Sequence, residues 1–217
     1  VTSRKAFIVG ATGLIGKYLT SLLLDSDRYN EVVAITRKPL GEHAKLKNFL
    51  GGYDDLEQLS ENIRGDDIYC CLGTTMKTAG SKENFRKVDY DYPLKIAQIA
   101  AQNRANQFLV VTAMGASSRS NVFYNRVKGE LEEALAKIPF EGLHIFRPAL
   151  LLGKRQEKRA GEHIAQVIFN VINRLFVGPL KKYKAIDYRK VANAMFSVAV
   201  EAKKGVYTYR SDDLQAY

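Results

Sequence analysis

Of the 12 tyrosines in this 217-residue chain, only Tyr124 is followed four positions later by a lysine, Lys128. On a helix that spacing places the phenol and the ammonium on one face, one turn apart. A cation held beside a phenol favours the phenolate, which makes a tyrosine a usable proton donor and acceptor near neutral pH. Such a pair suits proton transfer to an oxygen while another group delivers hydride. The oxygen gathers negative charge, and a fixed hydroxyl normally stabilises it. Thr112 and Ser117 stand just ahead of Tyr124. Strand alternation turns Thr112 toward the other face, whereas Ser117 lies in the loop leading to the helix, so Ser117 is the favoured hydroxyl.

Hydride chemistry needs a carrier, and the stretch Phe7-Ile8-Val9-Gly10-Ala11-Thr12-Gly13-Leu14-Ile15-Gly16 supplies a place for one. A short apolar run ends in glycines spaced G-x-x-G-x-x-G, and a helical pattern follows over 14–24. Gly10 permits a tight turn, Gly13 lets the backbone approach a pyrophosphate, and Gly16 lets the helix pack closely on the strand. Thr12, Leu14 and Ile15 complete the turn and the helix N-terminus, whose unpaired N–H groups favour phosphate. About 20 residues on, where an NAD enzyme usually carries an acid for the ribose 2′-hydroxyl, the chain has Arg37-Lys38. A guanidinium binds a 2′-phosphate bidentately and the lysine adds a second charge, so NADP(H) is expected in preference to NAD(H).

These groups need a scaffold, and the apolar pattern describes one. Strands are expected at 31–36, 47–50, 67–72, 107–112 and 143–146, with helices at 54–63, 81–103 and 121–137. Pro93 predicts a helix break near Tyr92, with Asp91 as a new N-cap. Alternating strands and helices imply parallel βαβ units and hence an α/β, Rossmann-like, doubly wound parallel sheet. Beyond Arg147-Pro148 come an apolar run at 149–152, Gly153, a basic cluster at 154–159, a helix at 162–175, a helix at 187–202 and a short strand at 206–209. We expect a single domain over 1–217, with 149–217 forming most of a small substrate-side cap. Residues 149–159 read as a lid in which Arg155 or Arg159 meets an anionic substrate.

Composition narrows the classes. The net charge of +10 comes from dispersed basic residues, which argues for a solvated surface and against a nucleic-acid partner. No apolar stretch reaches membrane-spanning length, and no leader precedes the first strand, so no membrane partner is expected. Cys70 and Cys71 are adjacent in an apolar run and read as unpaired strand residues in a reducing compartment, which predicts a cytoplasmic protein. His43, His144 and His163 lack metal-ligand spacing, and no metal site is expected.

The glycine motif, Tyr124-x-x-x-Lys128 and Arg147-Pro148 together resemble extended and atypical short-chain dehydrogenase/reductases. More narrowly, Cys70-Cys71-Leu72-Gly73-Thr74-Thr75, Tyr124-x-x-Val127-Lys128-Gly129-Glu130 and the segment from Phe146 to Glu157 resemble the Tat-interacting-protein-like NAD(P)H-binding branch. The resemblance implies that Leu72, Gly73 and Thr74 line the cofactor, that Lys128 bridges its nicotinamide ribose, and that Pro148, Ala149 and Leu150 bound the nicotinamide. Two departures stand out. Gly52 occupies the place of an acid near the adenine, leaving backbone groups or Tyr53 to recognise it. Ala113 occupies the place of the family's serine, so Ser117 or Thr112 substitutes, or the hydroxyl is missing. The reading is an NADP(H)-dependent carbonyl reductase or dehydrogenase with Tyr124 as general acid/base. The alternative is an NmrA-like sensor whose cofactor regulates contact with a protein partner.

Overall fold

The computed structural model describes residues 4–152 and 184–217. Its main strands are β1 (Arg4–Val9), β2 (Tyr29–Thr36), β3 (Leu46–Leu50), β4 (Asp67–Cys70), β5 (Gln107–Val111), β6 (Gly142–Arg147) and β9 (Gly205–Arg210). All pair in parallel in the order β3-β2-β1-β4-β5-β6-β9. Two short strands, β7 (Leu151–Leu152) and β8 (Ile186–Asp187), pair separately. The helices are α1 (Leu14–Asp25), α2 (Met76–Ala79), α3 (Lys82–Arg86), α4 (Tyr92–Gln102), α5 (Phe123–Leu135) and α6 (Tyr188–Glu201).

Strand β1 shows why the inner strands read as unbroken apolar runs. Ala6 and Ile8 face one core with Leu19 and Leu23 of α1 and Val191 and Met195 of α6. Phe7 and Val9 face the other core with Ile96 and Ala100 of α4 and Leu131 and Leu135 of α5. A strand covered on both faces has no polar side to alternate with. The doubly wound parallel sheet expected from the sequence is the observed architecture.

Three local expectations change. Residues 54–63 form two 3₁₀ turns, Tyr53–Asp55 and Ser60–Asn62, not one helix. So short a segment gains little from helix propagation, and the Tyr53 hydroxyl fixes its start by donating to the Ile35 carbonyl at 3.2 Å. Next, Pro93 does not interrupt the helical path: a π-helical turn, Lys87–Asp91, joins α3 to α4, and Asp91 makes no cap. Proline sits in the first turn of α4, where its missing N–H costs little. Finally, α6 and β9 extend the sheet: β9 pairs with β6, and α6 packs beside α1. The described part of 149–217 therefore contributes to the scaffold more than to a cap.

A polar network crosses the sheet from the amino ends of its inner strands. Buried Asp67 accepts hydrogen bonds from Arg4 Nε at 3.0 Å, the Tyr29 hydroxyl at 2.7 Å and Gln107 Nε2 at 2.7 Å. Tyr69 donates to the Tyr29 hydroxyl at 2.8 Å. Because the Gln107 amide nitrogen serves Asp67, its oxygen accepts from His144 Nε2 at 3.2 Å, leaving Nδ1 to accept from Tyr209 at 3.2 Å. Six of the seven strands contribute. Burial pushes the Asp67 carboxyl up despite Arg4, and pushes the His144 imidazole down to about 4.

Candidate cofactor and proton-transfer site

At the carboxyl end of β1 the chain turns on Gly10, with φ at +76°. A Cβ there would meet the Cys71 carbonyl oxygen at 2.5 Å, and one at Gly16 would overlap the Gly10 carbonyl. Only glycine fits either place. Gly13 is the N-cap of α1, with no side-chain cap and no acid in the first turn. The helix N-terminus thus keeps unpaired donors and a partial positive charge, and exposed Thr12 and Gly13 border it. Leu14 is half-buried, while Ile15 packs in the core. This cradle fits a pyrophosphate.

Arg37 and Lys38 are exposed just beyond β2, and among the described residues neither has a carboxylate partner. Ile35 of β2 pairs with Val9, so Arg37 follows β2 at the end where β1 turns on Gly10. The Tyr53 hydroxyl is already engaged, accepting from the Gly10 N–H at 3.3 Å as well as donating to Ile35. Its ring packs on Tyr92 with centroids 5.5 Å apart. Tyr53 therefore offers an adenine its ring and not its hydroxyl. Gly52 directly precedes it as the cap of the 3₁₀ turn.

Tyr124 and Lys128 both lie on α5, as the spacing required. Tyr124 is half-buried against Phe85, with ring centroids 5.3 Å apart, and its hydroxyl makes no hydrogen bond among the described residues. The Lys128 side chain is only 3% exposed, and its ammonium lies 2.8 Å from the fully buried Asp89. Burial pulls the Lys128 pKa down, but the charge and hydrogen bond of Asp89, together with Tyr124, more than offset it and the net shift is upward. Asp89 Oδ2 also accepts the Thr74 N–H at 2.9 Å, binding the loop after β4 to this pair. In that loop Leu72 is buried and Gly73 exposed. Asp89 escaped the sequence reading. Its only signal was Pro93, which implied an irregular helix where the π-helical turn now presents the carboxylate inward.

Both candidate hydroxyls have partners of their own. Thr112 is buried and donates at 2.5 Å to Glu132, which is paired in turn with Arg147. Glu132 lies two turns below Tyr124, about 12 Å along the helix at 1.5 Å per residue. Ser117 is exposed, and its backbone crosses α5 where a Cβ on Gly129 would overlap it. Its N–H donates to the Asn125 carbonyl at 3.0 Å. Asn125 and Gly129 form the stripe next to that of Tyr124 and Lys128, and Ser117 lies against this neighbouring stripe. Ala113, where relatives carry serine, is buried.

Pro148 is buried, and its carbonyl accepts the Met114 N–H at 2.9 Å, joining the loop after β5 to the end of β6. Ala149 is half-buried and Leu150 is 59% exposed. Gly153, Arg155, Arg159, the rest of the expected lid and the helix at 162–175 lie outside the described residues. Cys70 is buried and unpaired, with its thiol pushed up to about 11. No metal-holding group of His, Cys, Asp or Glu occurs among the described residues, and no described helix is long and apolar enough to cross a membrane.

The sequence profile of the HIM1 family matches residues 47–184. Protein HTATIP2 of Rattus norvegicus is 34% identical over 172 residues, covering 77% of this chain and 71% of that protein. FMP52 of Candida albicans, named as mitochondrial, is 35% identical over 220 residues, covering 96% and 95%. Further FMP52 proteins from Debaryomyces hansenii and Eremothecium gossypii carry the same designation. The cytoplasmic placement read from the cysteines is overturned by these names, because unpaired thiols report a reducing environment and not a particular compartment. Among solved structures, Bordetella bronchiseptica WbmH in complex with NAD⁺ superposes with a TM-score of 0.71 at 18% identity, covering 96% of this chain and 76% of that one. The oxidoreductase ylbE of Lactococcus lactis gives a TM-score of 0.66 at 19% identity, covering 98% and 95%. The fold is that of NAD-binding oxidoreductases, and the chain belongs to the HIM1 family, with HTATIP2 and FMP52 among its homologues.

Proposed function

We propose that this protein is an NADP(H)-dependent oxidoreductase acting on a small carbonyl compound. The observation that carries the reading is the Tyr124–Lys128 pair: a phenol without a hydrogen bond among the described residues, next to a buried charged ammonium, at the glycine-turn end of the sheet. The Gly10–Gly16 turn would hold the pyrophosphate, Arg37 and Lys38 the 2′-phosphate, and Lys128 the nicotinamide ribose. Gly73, Thr74, Pro148 and Ala149 would border the nicotinamide. When bound, the cofactor supplies hydride to the carbonyl carbon. Tyr124 gives its proton to the carbonyl oxygen, and Lys128 stabilises the phenolate left behind. Tyr124→Phe should abolish NADPH consumption across an aldehyde, ketone and quinone panel while leaving NADPH affinity within about twofold. A variant that retains turnover would remove Tyr124 from the mechanism.

One observation favours a second reading. Ala113 replaces the usual serine, the Thr112 hydroxyl donates to Glu132, and the Ser117 hydroxyl accepts the Arg119 N–H. A site short of one oxyanion donor suits an NADP(H)-binding sensor that reports cofactor state to a protein partner. Tight NADPH binding by the unmodified protein, with no turnover on that panel, would favour the sensor. For compartment we adopt the mitochondrial designation of the fungal relatives, to be tested by imaging the full-length protein in cells.

A further inference from the structure

The Lys128–Asp89 pair brings together three parts of the chain: α5, the π-helical turn and the loop after β4. Asp89 is fully buried, and its Oδ2 is committed to the Thr74 N–H at 2.9 Å. Its Oδ1 lies 2.8 Å from the Lys128 ammonium, an ion pair at hydrogen-bonding distance. An ammonium carries three N–H donors, so pairing with Asp89 leaves capacity for another acceptor. Exposed Gly73 runs directly over the pair: a Cβ on it would lie 3.5 Å from Asp89 Oδ1 and 3.8 Å from Lys128 Nζ. A ligand reaching this loop therefore meets a lysine whose position and charge are both set by Asp89. π-Helical turns occur mostly as single inserted turns and often at functional sites, and this one presents the carboxylate that sequence periodicity missed.

We propose that Asp89 is a positioning residue for the cofactor's ribose subsite. It holds the Lys128 ammonium and the Thr74 amide in one fixed arrangement before any ligand arrives. Removing one member of a buried ion pair leaves the other uncompensated, so the lysine would discharge or swing away. The inference rests on the NADP(H) reading above and adds to it a residue from outside the Tyr-Lys motif. It predicts an effect confined to the nicotinamide half of the cofactor.

The test compares two ligands. NADPH carries the nicotinamide ribose, whereas adenosine 2′,5′-bisphosphate carries only the adenosine end. By calorimetric titration, Asp89→Asn should weaken NADPH roughly tenfold to a hundredfold, the loss expected for a charged hydrogen-bonding contact. It should leave the bisphosphate within about twofold. Asp89→Asn combined with Lys128→Met should bind NADPH no worse than Lys128→Met alone. The double variant removes both charges together, which covers the case in which Asp89→Asn alone fails to fold. Equal losses for both ligands, or a further loss in the double variant, would overturn the positioning role. If the unmodified protein binds neither ligand, the cofactor reading falls first and takes this proposal with it.

Discussion

The two ends of the parallel sheet are built on opposite principles. Toward the amino ends, polar groups satisfy one another: Asp67 has three donors, and Gln107 and His144 pass the chain of bonds on to Tyr209. Toward the carboxyl ends, several exposed or half-buried groups are left short of partners. The cap of α1 has no side chain, Arg37 and Lys38 have no carboxylates among the described residues, and the Tyr124 hydroxyl has no hydrogen bond there. Buried polar groups with no ligand role must be satisfied internally or they cost stability. Groups that receive a ligand must keep capacity open. The contrast between the closed Asp67 network and these open groups thus points to scaffold and site without reference to motif.

This contrast predicts that substitutions at one end change stability and at the other change ligand affinity. The largest effect should come from Asp67→Ala, which strands Arg4, Tyr29 and Gln107 and should cost about 3–5 kcal/mol of unfolding free energy. Denaturant titration reads the loss, and NADPH affinity of the folded fraction should stay unchanged. A parallel drop in affinity would break the separation of the two ends.

Acid should act on the same end. The folded His144 pKa is depressed from 6.5 to about 4 by burial. Between those values the unfolded chain binds a proton that the folded chain does not, so stability falls as pH falls. At 1.36 kcal/mol per pH unit, the loss should approach about 3 kcal/mol by pH 4. His144→Gln should flatten that part of the stability profile. An unchanged slope would mean that some other group binds the proton.

At the opposite end, Arg37→Ala should leave the melting temperature unchanged and lower NADPH affinity by roughly one to two decades, with NADH little affected. If the preference for NADPH survives, Lys38 becomes the selector. The smallest effect is expected for Ser117→Ala. Its place on the Gly129 side of α5 predicts less than about a threefold change in turnover, against about a hundredfold for an oxyanion-stabilising hydroxyl. A hundredfold loss would restore the serine to the mechanism.

The sequence revealed features whose cause is local. The glycine turn, the Tyr124–Lys128 spacing and the apolar runs of the inner strands each depend on residues within one element or its neighbour. Asp89 was hidden because its importance arises only when a π-helical turn brings it against Lys128, 39 positions later in the chain. Periodicity over 54–63 suggested a helix, since Leu56, Leu59 and Ile63 have helical spacing, yet tertiary bonds through Tyr53 set a different path. The final helix and strand looked like a cap because their order along the chain says nothing about joining the sheet at its far edge.

The polar network also bears on how the chain reaches its fold. Its links bridge 63 positions from Arg4 to Asp67, 65 from His144 to Tyr209 and 92 from Gln107 to Ala199. Such contacts give a high contact order, for which loop-closure entropy must be met before any reward arrives. None of the local βαβ units can complete the network alone. It closes only when α6 and β9 dock, so a nascent chain still lacking them holds Gln107 and His144 without their final partners. The network is therefore a property of the complete sheet, and joining α6 and β9 to it fixes the surroundings of Gln107 and His144.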